Sequence, residues 1–312
     1  MKNKIIGIDI GGTAVKFGLL NLKGDILEKW EIATVRGDEI IDSIYHSVLT
    51  KISSEEIQNH VLGIGVGAPG FIDQETGVEA VNLGWKNFEL SKRLQDKFAP
   101  PVSVENDANI AALGEYWKEK ENRVTDLIFI TLGTGVGSGI IANGSILKGV
   151  NGTAGEIGHT IVDYNGYQCN CGRVGCLDTI SSATGIVRKA MDKIRENPAS
   201  MLADFYSTHG SINSIDVFSL ASKGDKDCIE IINYSAKMLG IALANTSAII
   251  NPSKILIGGG LSKAGDQLLD LVKLHFKHYS LNRIVDITKI ELAKLGNDAG
   301  IIGAAYLVMN KG

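Results

Sequence analysis

Three of the chain's four cysteines, Cys169, Cys171 and Cys176, sit together, and His159 precedes them. Three thiolates and one imidazole suit tetrahedral Zn²⁺. Four protein ligands fill that coordination shell, so the ion would be structural rather than catalytic. The Cys-x-Cys spacing is tighter than in zinc fingers, and Gly172 and Gly175 let the short loop fold back on an ion. In a reducing compartment such a cluster reads as a metal site before a disulfide framework. Three unconnected buried cysteines are the plain alternative. Cys228 stands alone in a helical stretch.

Three glycine-rich turns follow apolar strands. They are Gly11-Gly12-Thr13 after Asp9, Gly133-Thr134-Gly135, and Gly258-Gly259-Gly260. Glycine lets a backbone approach a ligand closely, and the N–H groups of such turns bind anions. Thr13 and Thr134 add hydroxyl donors. Asp9, at a strand end, has the position to hold Mg²⁺ directly or through water. Any one of these turns is as well read as a tight turn without a ligand; three together point to a nucleotide site. Gly65-Val66-Gly67-Ala68-Pro69-Gly70 matches the dinucleotide-binding pattern in letters only. That pattern requires a helix to begin there, whereas Pro69 and residues 71–77 read as a loop and hairpin. No Gly-Lys-Ser/Thr closes a phosphate loop, so a nucleotide would be held by paired hairpins.

Two groups of carboxylates lie near these turns in the sequence. Val102-Ser103-Val104-Glu105-Asn106-Asp107 runs from a strand into a helix. A carboxylate at a first helical turn is held in its charged form by the helix dipole, which suits a general base facing an alcohol. An Asp there is also an ordinary N-cap, and the residues alone leave both readings open. Gly155-Glu156-Ile157-Gly158-His159 joins a carboxylate and an imidazole at a flexible turn just before the cysteines.

The elements that must position these groups recur. Strands over 5–10, 15–20 and 26–32 are joined too closely to be anything but antiparallel neighbours. Helical spacing covers 38–52, strands cover 61–66 and 102–105, and a helix runs from Asn109 to Lys120. A strand–glycine turn–strand–turn–strand unit then restarts at Leu127, with Leu22 to Leu27 echoed by Ala142 to Leu147. The repetition implies a duplicated architecture. Helices follow over 183–195, 214–222 and 227–250. A strand over 254–257, a helix over 262–279, a strand over 289–293 and a closing helix over 298–309 complete an α/β pattern. The expected lobes are residues 1–118, joined by the closing helix from about 298 to 312, and residues 119–297 with the cysteine module.

With 312 residues, 44% hydrophobic and 21% charged, the chain can fill two substantial cores. Its formal net charge of −4, without a cluster of basic residues, argues against nucleic acid as main partner. The N-terminal run is too short and too soon interrupted by Asp9 to read as a signal peptide, and no stretch is long enough to span a bilayer. A soluble cytoplasmic protein is the expectation.

The ordered motifs Asp9-x-Gly-Gly-Thr13, Gly67-Ala-Pro-Gly70, Glu105-Asn-Asp-Ala-Asn109, Leu132-Gly-Thr-Gly135, Gly155-Glu-Ile-Gly-His159 and Cys169-x-Cys-Gly-x-x-Gly-Cys176 resemble the ROK family of repressors and sugar kinases. The match runs from residue 5 to about 305. The resemblance implies an actin-like ATPase (ribonuclease H-like) fold, two lobes of duplicated origin with ATP in the cleft between them. It implies ATP-dependent phosphorylation of a hexose at its 6-hydroxyl, glucose first, with Mg²⁺ and a structural Zn²⁺. Asp107 would be the base, and Gly70, Asn106, Glu156 and His159 sugar contacts. His159 would use its second ring nitrogen to bind the metal. The family has Glu where this chain has Asp178, a sugar contact in the family, so Asp178 keeps the charge with about 1.5 Å less reach. That keeps fructose, N-acetylmannosamine, allose and N-acetylglucosamine open as acceptors. A homodimer is the implied assembly.

Two rivals are set aside on sequence. A sugar-sensing regulator of this family carries a winged-helix segment ahead of the first hairpin, for which there is no room before residue 5; a regulator without that segment is the remote form of this reading. A structural actin-like ATPase would need neither the cysteines nor the sugar contacts.

Overall fold

The computed structural model describes residues 2–73, 76–119 and 123–310. Gln74 and Glu75 of the expected loop, Lys120 at the expected helix end and the last two residues of the closing segment lie outside them.

The first half opens with three antiparallel strands, β1 (Lys4–Ile10), β2 (Ala14–Asn21) and β3 (Ile26–Ala33). Helices α1 (Glu39–Lys51) and α2 (Ser54–His60) lead to β4 (Val61–Ala68), which pairs parallel with β1. A small sheet of β5 (Phe71–Asp73), β6 (Gly77–Ala80) and β7 (Trp85–Phe88) follows, as the hairpin reading of 71–77 requires. Then come α3 (Leu90–Gln95), β8 (Val102–Asn106), parallel to β4, and α4 (Asp107–Glu119).

The second half repeats the plan. It has β9 (Leu127–Leu132), β10 (Val136–Ala142) and β11 (Ser145–Ile146). The helices α5 (Asp178–Ser181), α6 (Ala183–Glu196), α7 (Met201–His209), α8 (Ser214–Ser222) and α9 (Lys226–Ile250) follow. The chain ends with β12 (Lys254–Gly258), α10 (Asp266–Tyr279), α11 (Asn282–Val285), β13 (Lys289–Leu292) and α12 (Ala299–Met309). The two large sheets have the orders β3-β2-β1-β4-β8 and β11-β10-β9-β12-β13. Numbered within each half, both read third–second–first–fourth–fifth, which is the duplication written in topology. The copies differ at the third strand, since β11 has two residues where β3 has eight.

The helix expected over 262–279 is broken. A short tight turn spans Gly260–Ala264, Gly265 takes a left-handed φ of 61°, and α10 begins only at Asp266. The short helices α2, α3 and α7 left little periodic signal. Two of them start on serine caps, with Ser53 accepting from Glu56 and Ser200 from Ala203. No helix among the described residues is long and apolar enough to cross a membrane.

By internal contacts the chain divides into two units. One comprises Met1–Val124, Gly139–Gly155 and Leu295–Gly312; the other comprises Thr125–Ser138 and Glu156–Lys294. The expected division at residue 118 thus gives way to one in which Gly139–Gly155 returns to the first unit.

In the first unit one sheet face is filled by Ile6, Ile8, Ile10, Val15 and Phe17 against Ile40, Ile41, Ile44 and Val48 of α1. These α1 positions recur at helical spacing, so one stripe meets the sheet. The face toward α12 is lined by glycine instead. A Cβ on Gly7 would lie 2.0 Å from the Ile301 carbonyl oxygen, and one on Gly65 would lie 1.7 Å from that of Ala304. Helices α4 and α12 touch backbone to backbone in the same way. A Cβ on Gly303 would fall 1.6 Å from the Ile110 oxygen and 2.6 Å from the Gly114 nitrogen. Backbone cannot yield as a side-chain tip can, so Gly303→Ala is expected to cost at least about 3 kcal/mol, the upper end of ordinary overpacking. Urea denaturation measures it, and a change below about 1 kcal/mol would show that the two helices are free to separate.

Candidate active site

The turn between β1 and β2 is pulled tight from behind. Gly11 donates to the Ala14 carbonyl at 3.0 Å, the Thr34 hydroxyl donates to the Gly11 carbonyl at 2.7 Å, and the Thr34 amide donates to that of Thr13 at 3.0 Å. Asp9 faces Lys16 across the hairpin, and its carboxylate lies against α12, where a Cβ on Gly300 would meet Oδ2 at 2.4 Å. Burial raises the Asp9 carboxyl above its ordinary value, and the Lys16 ammonium partly offsets this.

The turn between β9 and β10 is built on the same plan with different anchors. The Ala183 amide donates to the Gly133 carbonyl at 2.8 Å, and the Thr184 hydroxyl donates to that of Thr134 at 2.8 Å. Gly135 gives its carbonyl to the Gly133 amide at 2.9 Å. Among the described residues, the amides of Gly12, Thr13, Thr134 and Gly135 donate to nothing. The carbonyls of Gly11, Thr13, Gly133, Thr134 and Gly135 are thus taken by the protein, while these N–H groups could meet an anion. The third glycine turn adjoins the second. In the parallel pairing of β9 with β12, Gly258 is opposite Thr131, and Gly259, with φ of 83°, leaves only 2.5 Å between a Cβ and the Leu132 backbone. Gly260 has no neighbour within 4 Å of such a Cβ.

At the β8–α4 junction the capping and the carboxylate fall on different residues. Asn106 Oδ1 accepts from the amides of Ala108 at 2.9 Å and Asn109 at 3.1 Å, the work of an N-cap. Asp107 is the first helical residue, half-buried, and its Oδ1 also accepts from Ala108 at 2.8 Å. Asn106 further donates to the Gly70 carbonyl at 2.9 Å. Gly70 holds φ of 86°, with the Glu79 oxygen 2.0 Å from where a Cβ would sit, so the turn requires glycine. Gly70, Asn106 and Asp107 thus form one linked group.

Beneath it lies a network that the sequence reading did not assign. Glu105, 4% exposed, accepts through Oε1 from the Asn106 amide at 3.0 Å and from Asn109 Nδ2 at 3.1 Å. Its Oε2 pairs with Lys148 at 2.6 Å. Nothing in the sequence joins Lys148 to Glu105; a buried Glu at a strand end was the available signal, since such a charge needs a partner.

In the second unit the turn carrying Glu156 and His159 packs on the start of β10. The Ile157 amide donates to the Ser138 hydroxyl at 3.1 Å, and Gly158 lies so near Val136 that a Cβ would be 2.1 Å from its oxygen. Burial raises the Glu156 carboxyl, and His159 partly offsets this. His159 Nδ1 is 3.6 Å from Cys169 Sγ, Cys171 Sγ is 3.6 Å from Cys176 Sγ, and the four donor atoms lie within 4.8 Å of one another. Ligands at ordinary zinc bond lengths on a tetrahedron stand about 3.5–3.8 Å apart, so the spacing fits the ion and excludes a disulfide. Burial pushes the Cys171 thiol up, but hydrogen bonds from the Arg173 backbone and side chain outweigh it and bring the thiol down to about 6. With Nδ1 on the thiol side, the other His159 nitrogen faces away from the sulfurs.

Asp178, the expected sugar contact, lies beside the second glycine turn. Its Oδ1 accepts from the Val136 amide at 2.7 Å, at the edge of the Gly133–Gly135 turn. The shorter side chain has thus found a backbone partner for that oxygen.

The ROK family model matches residues 5–311. A glucokinase of Halalkalibacterium halodurans is 47% identical over 97% of this chain and 94% of its own length. A crystal structure of a ROK family glucokinase from Streptomyces griseus, in complex with glucose and AMPPNP, superposes with a TM-score of 0.77 at 33% identity, covering 97% of this chain and 98% of that one. A xylose repressor of Caldicellulosiruptor bescii is 30% identical over 98% of this chain and 78% of its own length. With the sheet order, the paired glycine turns and the cysteine module, these likenesses establish an actin-like ATPase fold, and the chain belongs to the ROK family.

Proposed function

We propose that this chain is an ATP-dependent glucokinase. The observation that carries the reading is its likeness, over nearly all of both chains, to a glucokinase that holds glucose and AMPPNP. The 47% identity with a second glucokinase supports the same acceptor. Glucose is oriented by Glu156, by the second nitrogen of His159, and by the Asn106 side chain with the Gly70 turn. The turns at Gly11-Gly12-Thr13, Gly133-Thr134-Gly135 and Gly258-Gly259-Gly260 take the nucleotide, their N–H groups meeting phosphate oxygens. Asp9 is the residue placed to hold Mg²⁺, which when bound would neutralise charge on the phosphates.

The chemical step follows from these roles. The Asp107 carboxylate accepts the proton of the glucose 6-hydroxyl as that oxygen attacks the γ-phosphorus. The bond from the γ-phosphorus to the β,γ-bridging oxygen breaks in line, and glucose 6-phosphate and ADP leave. Asn106 caps α4, and Asp107, in the first turn, lies at the positive end of the helix, which favours the carboxylate form this step requires. Zn²⁺, held by His159, Cys169, Cys171 and Cys176, would fix the loop that carries His159 and take no part in transfer. A homodimer, the commonest closed assembly, working in the cytoplasm completes the proposal.

Asp107→Asn is expected to lower kcat by about 10²–10⁴-fold while glucose still binds; near-normal turnover would remove Asp107 from this role. A coupled ADP-release assay should show glucose with the highest kcat/KM among the hexoses, and a clear preference for N-acetylmannosamine or fructose would reassign the acceptor. Metal analysis of unchelated protein should return about one zinc per chain, and Cys176→Ser should lower both zinc content and the thermal midpoint. The buried Asp9 titrates above its unfolded value, so its charge costs stability near neutral pH, and the cost vanishes as pH falls through that raised value. Asp9→Asn should therefore raise the thermal midpoint at pH 7 while activity is lost; a lowered midpoint would mean the charge is favourably solvated where it lies.

A further inference from the structure

We propose that Asp178 is a positioning residue of the nucleotide site, clamping the Gly133–Gly135 turn. The proposal rests on the reading of that turn as a phosphate site. In the sequence Asp178 looks like a sugar contact with a shortened arm, but its carboxylate reaches the turn instead.

The clamp is built from one short stretch of chain. Asp178 Oδ1 accepts from the Val136 amide at 2.7 Å. A Cβ on Gly135 would sit 2.7 Å from the same oxygen, so the carboxylate packs directly against the glycine. Ser182 donates to the Asp178 carbonyl at 2.6 Å and caps α6 by accepting from Gly185 at 3.0 Å. The next two residues finish the work, since the Ala183 amide holds the Gly133 carbonyl and the Thr184 hydroxyl holds that of Thr134. Residues 178–184 thus bind one amide and two carbonyls of the turn. The stretch is itself pinned upstream, because Cys176 is a cysteine of the metal cluster and donates its thiol to the His159 carbonyl at 3.6 Å.

The physical consequence concerns which groups the turn presents. With two carbonyls drawn to 183 and 184, and Val136 N–H drawn to Asp178, the amides of Thr134 and Gly135 are the ones left to meet an anion. Removing the carboxylate frees the Val136 amide and loosens the strand end on which both others hang.

The test is equilibrium binding, with AMPPNP and glucose titrated separately by calorimetry. Asp178→Ala should weaken AMPPNP by roughly tenfold or more, the scale of one hydrogen bond to a charged group, and leave glucose within about twofold. Asp178→Asn keeps the Oδ1 acceptor and should bind both ligands within about twofold of the parent. Thr184→Val, at an exposed position that threatens folding least, should weaken AMPPNP alone by about three- to tenfold. If Asp178→Ala weakens glucose and spares AMPPNP, or if Thr184→Val leaves AMPPNP binding unchanged, Asp178 is a sugar ligand or a bystander and the proposal is wrong. A parent protein that binds no AMPPNP at all would instead sink the kinase reading on which the proposal stands.

Discussion

A backbone turn can offer its N–H groups to an anion only if its own carbonyls are satisfied elsewhere, because an oxygen pointing into the site would repel what the amides attract. Both hairpin turns meet this constraint. In the first, Thr34 alone takes the carbonyls of Gly11 and Thr13, using its hydroxyl for one and its amide for the other. In the second, the task is divided between Ala183 and Thr184. The remaining architecture of each half serves to put the anchoring residue behind the turn.

The two solutions differ because the copies differ. In the first half β3 is long enough to run beside β2 and deliver Thr34 just past its end. In the second half β11 stops after two residues, and its chain goes instead to Lys148 and the buried Glu105 of the first unit. The second turn therefore has no third strand to hold it. Helix starts emerging from the cysteine loop take over, so the metal module occupies the structural place that a plain β-strand fills in the other copy. Duplication accounts for the shared sheet order.

Much of the sheet framework was legible because it rests on local signals. Closely spaced apolar strands with glycine turns between them admit only antiparallel pairing, and the cysteine spacing admits few geometries. The decoy at Gly65-x-Gly-x-x-Gly70 was also readable from Pro69. What was hidden depends on contacts distant in sequence. Gly65 is glycine because α12, more than 200 residues later, lies on it. Lys148 gains its meaning only beside Glu105. The hydrogen bond between Asp178 and Val136 joins residues far apart in sequence, and no spacing rule carries that distance. The grouping of Gly139–Gly155 with the first unit likewise rests on contacts distant in sequence.

Asn106 and Asp107 stand side by side where β8 passes into α4. Asn106 takes the cap on the amides of Ala108 and Asn109, and Asp107 shares the Ala108 amide through one oxygen. Asn is a better choice than Ser or Thr for that cap here, because it has donors to spare, and one of them fixes the Gly70 turn. Glu105 completes the arrangement from below. It receives the Asn106 amide and the Asn109 side chain on one oxygen and Lys148 on the other, so its buried charge is matched. Of the three consecutive polar residues, Glu105 faces the core, Asn106 caps the helix and Asp107 opens it.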